Sequence, residues 1–252
     1  MKQTFWIAFG VFTQALFAAT VWRLFPFLRG GDHFQGLLSP EPGASAWMIT
    51  DGLLAAQFAV IHSLLLLPRA RRALGEWIPS ALYGCVFSVA TCLCLLLAME
   101  TWQPSVGTVW RFEGRATQFV ELAFLLSWAA LLYSLWLTGL GYQTGLTPWW
   151  AWARGRETPR RGFEPKGAYK LLRHPVYLSF LGLIWFNPVM THDRMVLAIA
   201  WSSHIFIGSF LKDRRLTYYI GERYREYQRR VPGYPLMPFG PLGKLQARKT
   251  QA

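Results

Sequence analysis

Hydrophobic positions dominate four long stretches of the chain, near residues 4 to 23, 47 to 67, 80 to 100 and 117 to 140, each broken by no more than one or two ionisable groups. Crossing about 30 Å of hydrocarbon takes about 20 helical residues, and a soluble core helix of that length would show a polar face every third or fourth position. These stretches therefore predict four membrane-spanning helices. Two shorter apolar runs, 175 to 190 and 194 to 212, bring the expected total to about six. Asn187-Pro188 and Thr191-His192-Asp193-Arg194 interrupt the fifth run early, which predicts a short helical hairpin of the fifth and sixth helices.

Beyond Lys212 the pattern changes from all-apolar to striped. Leu216, Ile220, Tyr224, Tyr227 and Val231 recur at helical spacing, with arginines on the other faces. This predicts that the sixth helix continues as an amphipathic segment on the membrane surface, ending near Val231-Pro232-Gly233 before an extended Pro-rich tail.

Composition agrees with that picture. The 252 residues are 53% apolar and 16% aromatic, and the net charge is +13. Such a charge suggests nucleic acid, but the basic residues are confined to particular loops. With the N-terminus in the cytoplasm, the 26 Lys and Arg divide 21 inside to 5 outside, as the positive-inside rule requires. The expectation is a multi-pass protein of the bacterial inner-membrane kind, both termini cytoplasmic, its basic face against anionic lipid headgroups and with no nucleic-acid partner. It reads as one domain over 1–252: an N-terminal four-helix part, 1–145, and a hairpin with C-terminal segment, 146–252. Cys85, Cys92 and Cys94 share one apolar run without a CxxC pair, which marks them as buried, unreactive side chains. No metal-ligand spacing is present.

Within the second span, Asp51, Ala55, Phe58 and His62 share one face, with Ser63 beside them, so that face should point into the bundle. His62 and Ser63 either bond neighbouring helices or line a substrate cavity. Trp102 and Trp110 fall at the level of an interfacial aromatic belt and read as anchors. Glu121 reads as snorkelling to the outer headgroups. His204 reads as a helix-to-helix hydrogen-bonding residue, and His33 and His192 as outer-loop residues. Thr147 to Arg154, with three tryptophans, reads as a segment on the cytoplasmic interface.

The densest candidate chemistry runs from Gly167 to Tyr177, through Tyr169, Lys170 and Arg173-His174-Pro175. Proline suits the first position of a helix, and Arg173 and His174 then cluster where free N–H groups and the helix dipole favour an anion such as a carboxylate. The short hairpin puts this entrance on the same side as the Lys212 to Tyr227 extension, so that the two can enclose a polar molecule.

With these residues in order, followed by Gly221, Tyr224, Tyr227 and Val231-Pro232, the chain resembles the isoprenylcysteine carboxyl methyltransferase and phospholipid methyltransferase superfamily. Gln57-Phe58, His62-Ser63 and Trp102-Gln103-Pro104 are similar to its methanethiol S-methyltransferase and NnrU-like branch. The resemblance implies an all-α integral-membrane enzyme that transfers a methyl group from S-adenosylmethionine to an apolar acceptor arriving through the membrane. It implies cofactor contacts from Tyr169, Arg173, His174, Pro175, Tyr177, Asp213, Tyr224 and Tyr227, with aromatic rings near the sulfonium.

A small thiol such as methanethiol, giving dimethyl sulfide, is the favoured acceptor; an isoprenylcysteine or a phospholipid is the alternative. A non-catalytic, NnrU-like protein assisting a redox system is the reading from another class. His62, Arg173 and His174 are the candidates to favour a thiolate, and His62 and Ser63 to meet the acceptor. The sequence departs from the superfamily at Lys212-Asp213, where two acids are common, and at Ser179, where a glycine is usual. A lysine near a sulfonium is unfavourable unless its stem carries the amine to solvent. Oligomeric state is not legible.

Overall fold

The computed structural model describes residues 2–30, 34–40, 47–159 and 162–246. His33, and Arg160 and Arg161 of the basic run, lie outside the described residues. The helices in chain order are α1 (Lys2–Arg29), α2 (Trp47–Leu65), α3 (Pro68–Gly75), α4 (Tyr83–Thr101), α5 (Arg115–Thr138), α6 (Leu140–Gln143), α7 (Leu146–Ala153), α8 (Pro175–Trp185), α9 (His192–Ile220) and α10 (Glu222–Arg230). Two short strands, β1 (Thr108–Arg111) and β2 (Val189–Thr191), pair antiparallel, with Trp110 opposite Met190.

Among the described residues, five helices are long and apolar enough to cross a membrane: those containing Gln3–Arg29, Trp47–Leu65, Ser80–Thr101, Arg115–Thr138 and His192–Ile220. The molecule is an integral membrane protein built mostly of helices. The expected sixth span is the correction. α8 has 11 residues, about 16 Å at 1.5 Å per residue, and ends at Trp185 rather than near 190. Pro188 cannot continue a helix, and residues 189–191 take up the β1 edge instead. Residues 108–111 and 189–191 are too short for alternation to reveal a strand.

α8 and α9 still form an antiparallel hairpin, because Arg173 at the start of α8 meets Asp213 late in α9 while Trp185 Nε1 at its end donates to Ser202 Oγ. The predicted continuous C-terminal helix is also corrected. α9 stops at Ile220, and Gly221, at φ +73° and ψ −140°, turns the chain into α10. Only glycine adopts that backbone without strain, so a stripe that reads as one helix folds as two.

One core joins both halves of the chain, drawing Leu24, Phe27 and Leu28 from α1, Ala55 from α2, Met99 from α4, Phe124 and Leu131 from α5, Leu183 from α8, Leu197 and Trp201 from α9, and Tyr234 from the tail. Large apolar side chains such as Trp22, Phe119, Trp136 and Ile207 face outward, as a lipid-facing surface requires. The segment expected to lie on the interface is partly drawn inside: Trp149 of α7 is buried and donates its indole N–H to the Trp6 carbonyl.

Candidate functional site

The hairpin brings the Gly167–Tyr177 segment against the end of α9. Gly167–Lys170 forms a single 3-10 turn, and Pro175 takes the first position of α8. Arg173, between them, is buried and every guanidinium N–H has an acceptor. Nε and Nη2 donate to Asp213 Oδ2 at 3.0 and 2.8 Å; Nη1 donates to the carbonyls of Val231 and Gly243 at 2.6 and 2.8 Å, and Nη2 also to that of Pro241 at 3.3 Å. The backbone N–H groups of Arg173 and His174 donate to the carbonyls of Pro232 and Gly233. Tyr224 Oη donates to Asp213 Oδ1 at 2.5 Å, and Tyr227 Oη to the Tyr169 carbonyl at 2.5 Å. Arg173 therefore pins the C-terminal tail and α9 to the α8 entrance. Its donors are spent inside the protein rather than aimed at a ligand.

The imidazole of His174 is the group left open. It is 1% exposed, and its Nε2 lies 3.2 Å from Asp213 Oδ2, yet neither ring nitrogen has a partner in hydrogen-bond geometry. Burial lowers its pKa, and the neighbouring Asp213 only partly opposes this, so the ring is neutral near pH 7 and holds one donor and one acceptor. The ring stacks on Tyr177 (centroids 5.5 Å, 18°) and leans on Tyr234 at 5.5 Å, which packs on Phe206. Tyr169 Oη is buried beside Thr138, and burial pushes its pKa up to about 12. Burial and Asp213 likewise raise Tyr224, and burial raises Tyr227 and Tyr234. All are neutral phenols. Stacked aromatic faces suit a cation, and orphaned buried donors suit a polar ligand, so the residues present fit a sulfonium that carries a carboxylate and hydroxyl groups.

All eight residues expected to share a cofactor site, from Tyr169 to Tyr227, come together here. His62 and Ser63 do not join them. His62 packs with Phe58, Phe87 and His204, the two imidazole centroids 5.7 Å apart, and its Nδ1 has no partner. Sequence reasoning missed Tyr234, whose hydroxyl bonds Ser209, and the carbonyls of Val231, Pro241 and Gly243. A Pro-rich tail carries no periodic signal, and it folds back instead of extending. Beside it lies a recess of about 550 Å³ lined by residues such as Pro235, Leu236, Phe239 and Lys244, whose only aromatic wall shared with the buried network is Tyr234.

The aromatic-belt reading of Trp102 is overturned: it is 2% exposed and donates its indole N–H to Asp193 Oδ2. Glu121 pairs with Arg29 at 3.1 Å rather than reaching headgroups alone. The unfavourable Lys212 does not carry its amine clear of the site. Its Nζ lies 5.0 Å from the centre of the Tyr177 ring.

A bundle of membrane-length helices with a buried polar network and aromatic faces at one end defines a helical membrane protein with a candidate ligand site at that end. The chain is 31% identical over 189 residues to a methanethiol S-methyltransferase of Pseudomonas sp. (strain GM41(2012)), covering 73% of this chain and 71% of that protein. It is 28% identical over 252 residues to a methanethiol S-methyltransferase of Crocosphaera subtropica, covering 97% and 95%, and 27% identical over 217 residues to Nurim of Rattus norvegicus, covering 81% of each. No family model and no solved structure matches the chain. The chain belongs to the methanethiol S-methyltransferase family, within the isoprenylcysteine methyltransferase-like superfamily, and is a membrane methyltransferase.

Proposed function

We propose that the protein transfers a methyl group from S-adenosylmethionine to a small apolar thiol, methanethiol giving dimethyl sulfide. The observation that carries this is the 31% identity to a methanethiol S-methyltransferase across 73% of the chain, supported by the chemistry gathered at the α8 entrance. S-adenosylmethionine, when bound, supplies an electrophilic methyl group on a positively charged sulfur. His174 and the first turn of α8 would hold its carboxylate, the faces of Tyr177 and Tyr234 would lie near the sulfonium, and Tyr169 Oη would meet a hydroxyl.

Arg173, Asp213 and Tyr224 act by position, fixing α9 and the tail against α8 so that donor and acceptor meet in line. Orientation of that kind supplies on the order of several kcal/mol. The basic end, with 21 of the 26 Lys and Arg, faces the cytoplasm and its anionic headgroups in this reading, and the acceptor arrives laterally through the bilayer. The test is calorimetry of S-adenosylhomocysteine with purified protein in detergent, alongside gas chromatography of the headspace over cells fed methanethiol. Binding and dimethyl sulfide production are expected. Absence of binding at millimolar ligand overturns the cofactor assignment, and binding with no dimethyl sulfide overturns the acceptor.

A further inference from the structure

Lys212 is the charged side chain that the network leaves over. It precedes Asp213 on α9, but successive helical residues point about 100° apart, and the Asp213 carboxylate is committed to Arg173 and Tyr224. Among the described residues, the Lys212 ammonium makes no ion pair within 4.0 Å and no hydrogen bond; its contact is with the face of Tyr177 at 5.0 Å. The side chain is only partly exposed. Such a lysine would ordinarily run its stem outward and leave the amine in water or among headgroups. Here the stem turns toward α8, the helix whose entrance carries His174, and the Tyr177 ring meets both the His174 ring and the ammonium. Asp213 and Arg215 on α9, and Tyr177 and His174 on the α8 side, are the titratable and charged groups around it. None is an acceptor already bound to its amine.

An unpaired cation held beside a methyl-transfer site has a defined use if the acceptor is a thiol. A thiol attacks as its thiolate, and a simple alkanethiol, less acidic than the cysteine side chain at roughly 8.5, is almost wholly un-ionised at pH 7. A fixed positive charge in a poorly hydrated wall raises the ionised fraction, because an opposite charge within about 4–6 Å favours the ionised form.

We propose that Lys212 is the acceptor-binding residue, its ammonium holding the thiol as the thiolate. The proposal rests on the thiol reading above. The S–H bond breaks on binding and the proton passes to bulk water. The thiolate lone pair then forms the new C–S bond while the methyl–sulfur bond of the sulfonium donor breaks, its electron pair leaving that sulfur neutral. Charge balances, since one anion and one sulfonium become two neutral thioethers and the ammonium is unchanged.

The experiment uses the full-length protein in detergent, saturated with S-adenosylhomocysteine, and titrates it with ethanethiol at pH 7. Proton release is read from binding enthalpies in two buffers of different ionisation heat, and thiolate from the ultraviolet difference spectrum. The wild type is expected to release close to one proton per thiol bound and to show thiolate absorbance. Lys212→Met should lose both and raise the KM for thiol at least tenfold, with S-adenosylhomocysteine affinity changed less than threefold. If Lys212→Met does not fold, Lys212→Gln is read in the same way. Undiminished proton release and thiolate absorbance in the neutral variant overturn the proposal while leaving the methyltransferase reading intact. Failure of the wild type to bind S-adenosylhomocysteine instead overturns the reading on which it rests.

Discussion

The two ends of α9 each bury an aspartate against an arginine, and they do different work. At the β-sheet end, Asp193 accepts from Trp102 Nε1 and from both the N–H and hydroxyl of Ser105, while Arg194 Nη1 donates to the Phe27 carbonyl and its guanidinium covers the Phe27 ring at 4.6 Å. Asp51 accepts from the Gln103 N–H beside them. These contacts tie α1, α2 and the segment after α4 to the start of α9. At the basic end, Asp213 and Arg173 tie α8, α9, α10 and the tail, but they stand against stacked aromatic faces and an imidazole whose Nδ1 has no partner and whose Nε2 lies 3.2 Å from Asp213. The difference is what the knot leaves over. Orphaned atoms at the sheet end include the carboxylate and amide oxygens of Asp51, Gln103 and Asn187; at the basic end they include the His174 ring, set against stacked aromatic faces.

Removing one aspartate at a time tests this contrast most severely. Taking away one partner of a buried ion pair costs about 3–5 kcal/mol because the other charge stays uncompensated. Asp213→Ala is therefore expected to lower thermal stability in detergent and to weaken S-adenosylhomocysteine more than tenfold by calorimetry. Asp193→Ala should lower stability comparably, while the folded fraction binds the cofactor as the wild type does. Equal loss of binding in both variants would erase the distinction between the two ends.

A smaller effect is expected at Trp102. Trp102→Phe keeps an aromatic, smaller side chain but leaves Asp193 Oδ2 without its indole donor, a cost of about 1–3 kcal/mol. A melting temperature equal to wild type would return Trp102 to the anchoring role and reduce the sheet-end knot to Ser105 and Arg194.

Acidity separates the ends further. The folded pKa of His174 is depressed, so below the ordinary value of about 6.5 the unfolded chain binds the proton that the folded site excludes. Stability from this group is complete above about pH 6.5 and declines as pH falls toward the depressed folded value. His174→Asn should flatten the stability profile there while abolishing transfer. A variant that keeps the wild-type acid slope would show that another group titrates. The smallest expected effect is at Glu222, which pairs with Arg225 and Arg229 on the open face of α10. Exposed pairs contribute little, and Glu222→Gln should leave both the melt and the cofactor affinity unchanged within error.

Much of this arrangement was legible in the residue order. Apolar length located the spanning helices, and Pro175 after Arg173-His174 located the start of α8. The resemblance then identified the residues that meet there. What stayed hidden was of two kinds. Strands at 108–111 and 189–191, the α9–α10 break at Gly221 and the folded tail are too short or too irregular for periodicity to register. Partners such as Trp102 with Asp193, or Arg173 with the Gly243 carbonyl 70 residues away, depend on which helix lies beside which.

Hydrophobic run length by itself determined that this protein lives in a membrane, because unsatisfied backbone in hydrocarbon leaves long helices as the answer for such runs. It likewise determined that Arg173, His174 and Asp213 would occupy the same end. Only the tertiary structure decided how each charge is used. Arg173 spends its donors on Asp213 and the tail, His174 keeps its Nδ1 open, and Lys212 lies over Tyr177, because buried polar groups take whichever partners the packing brings within reach.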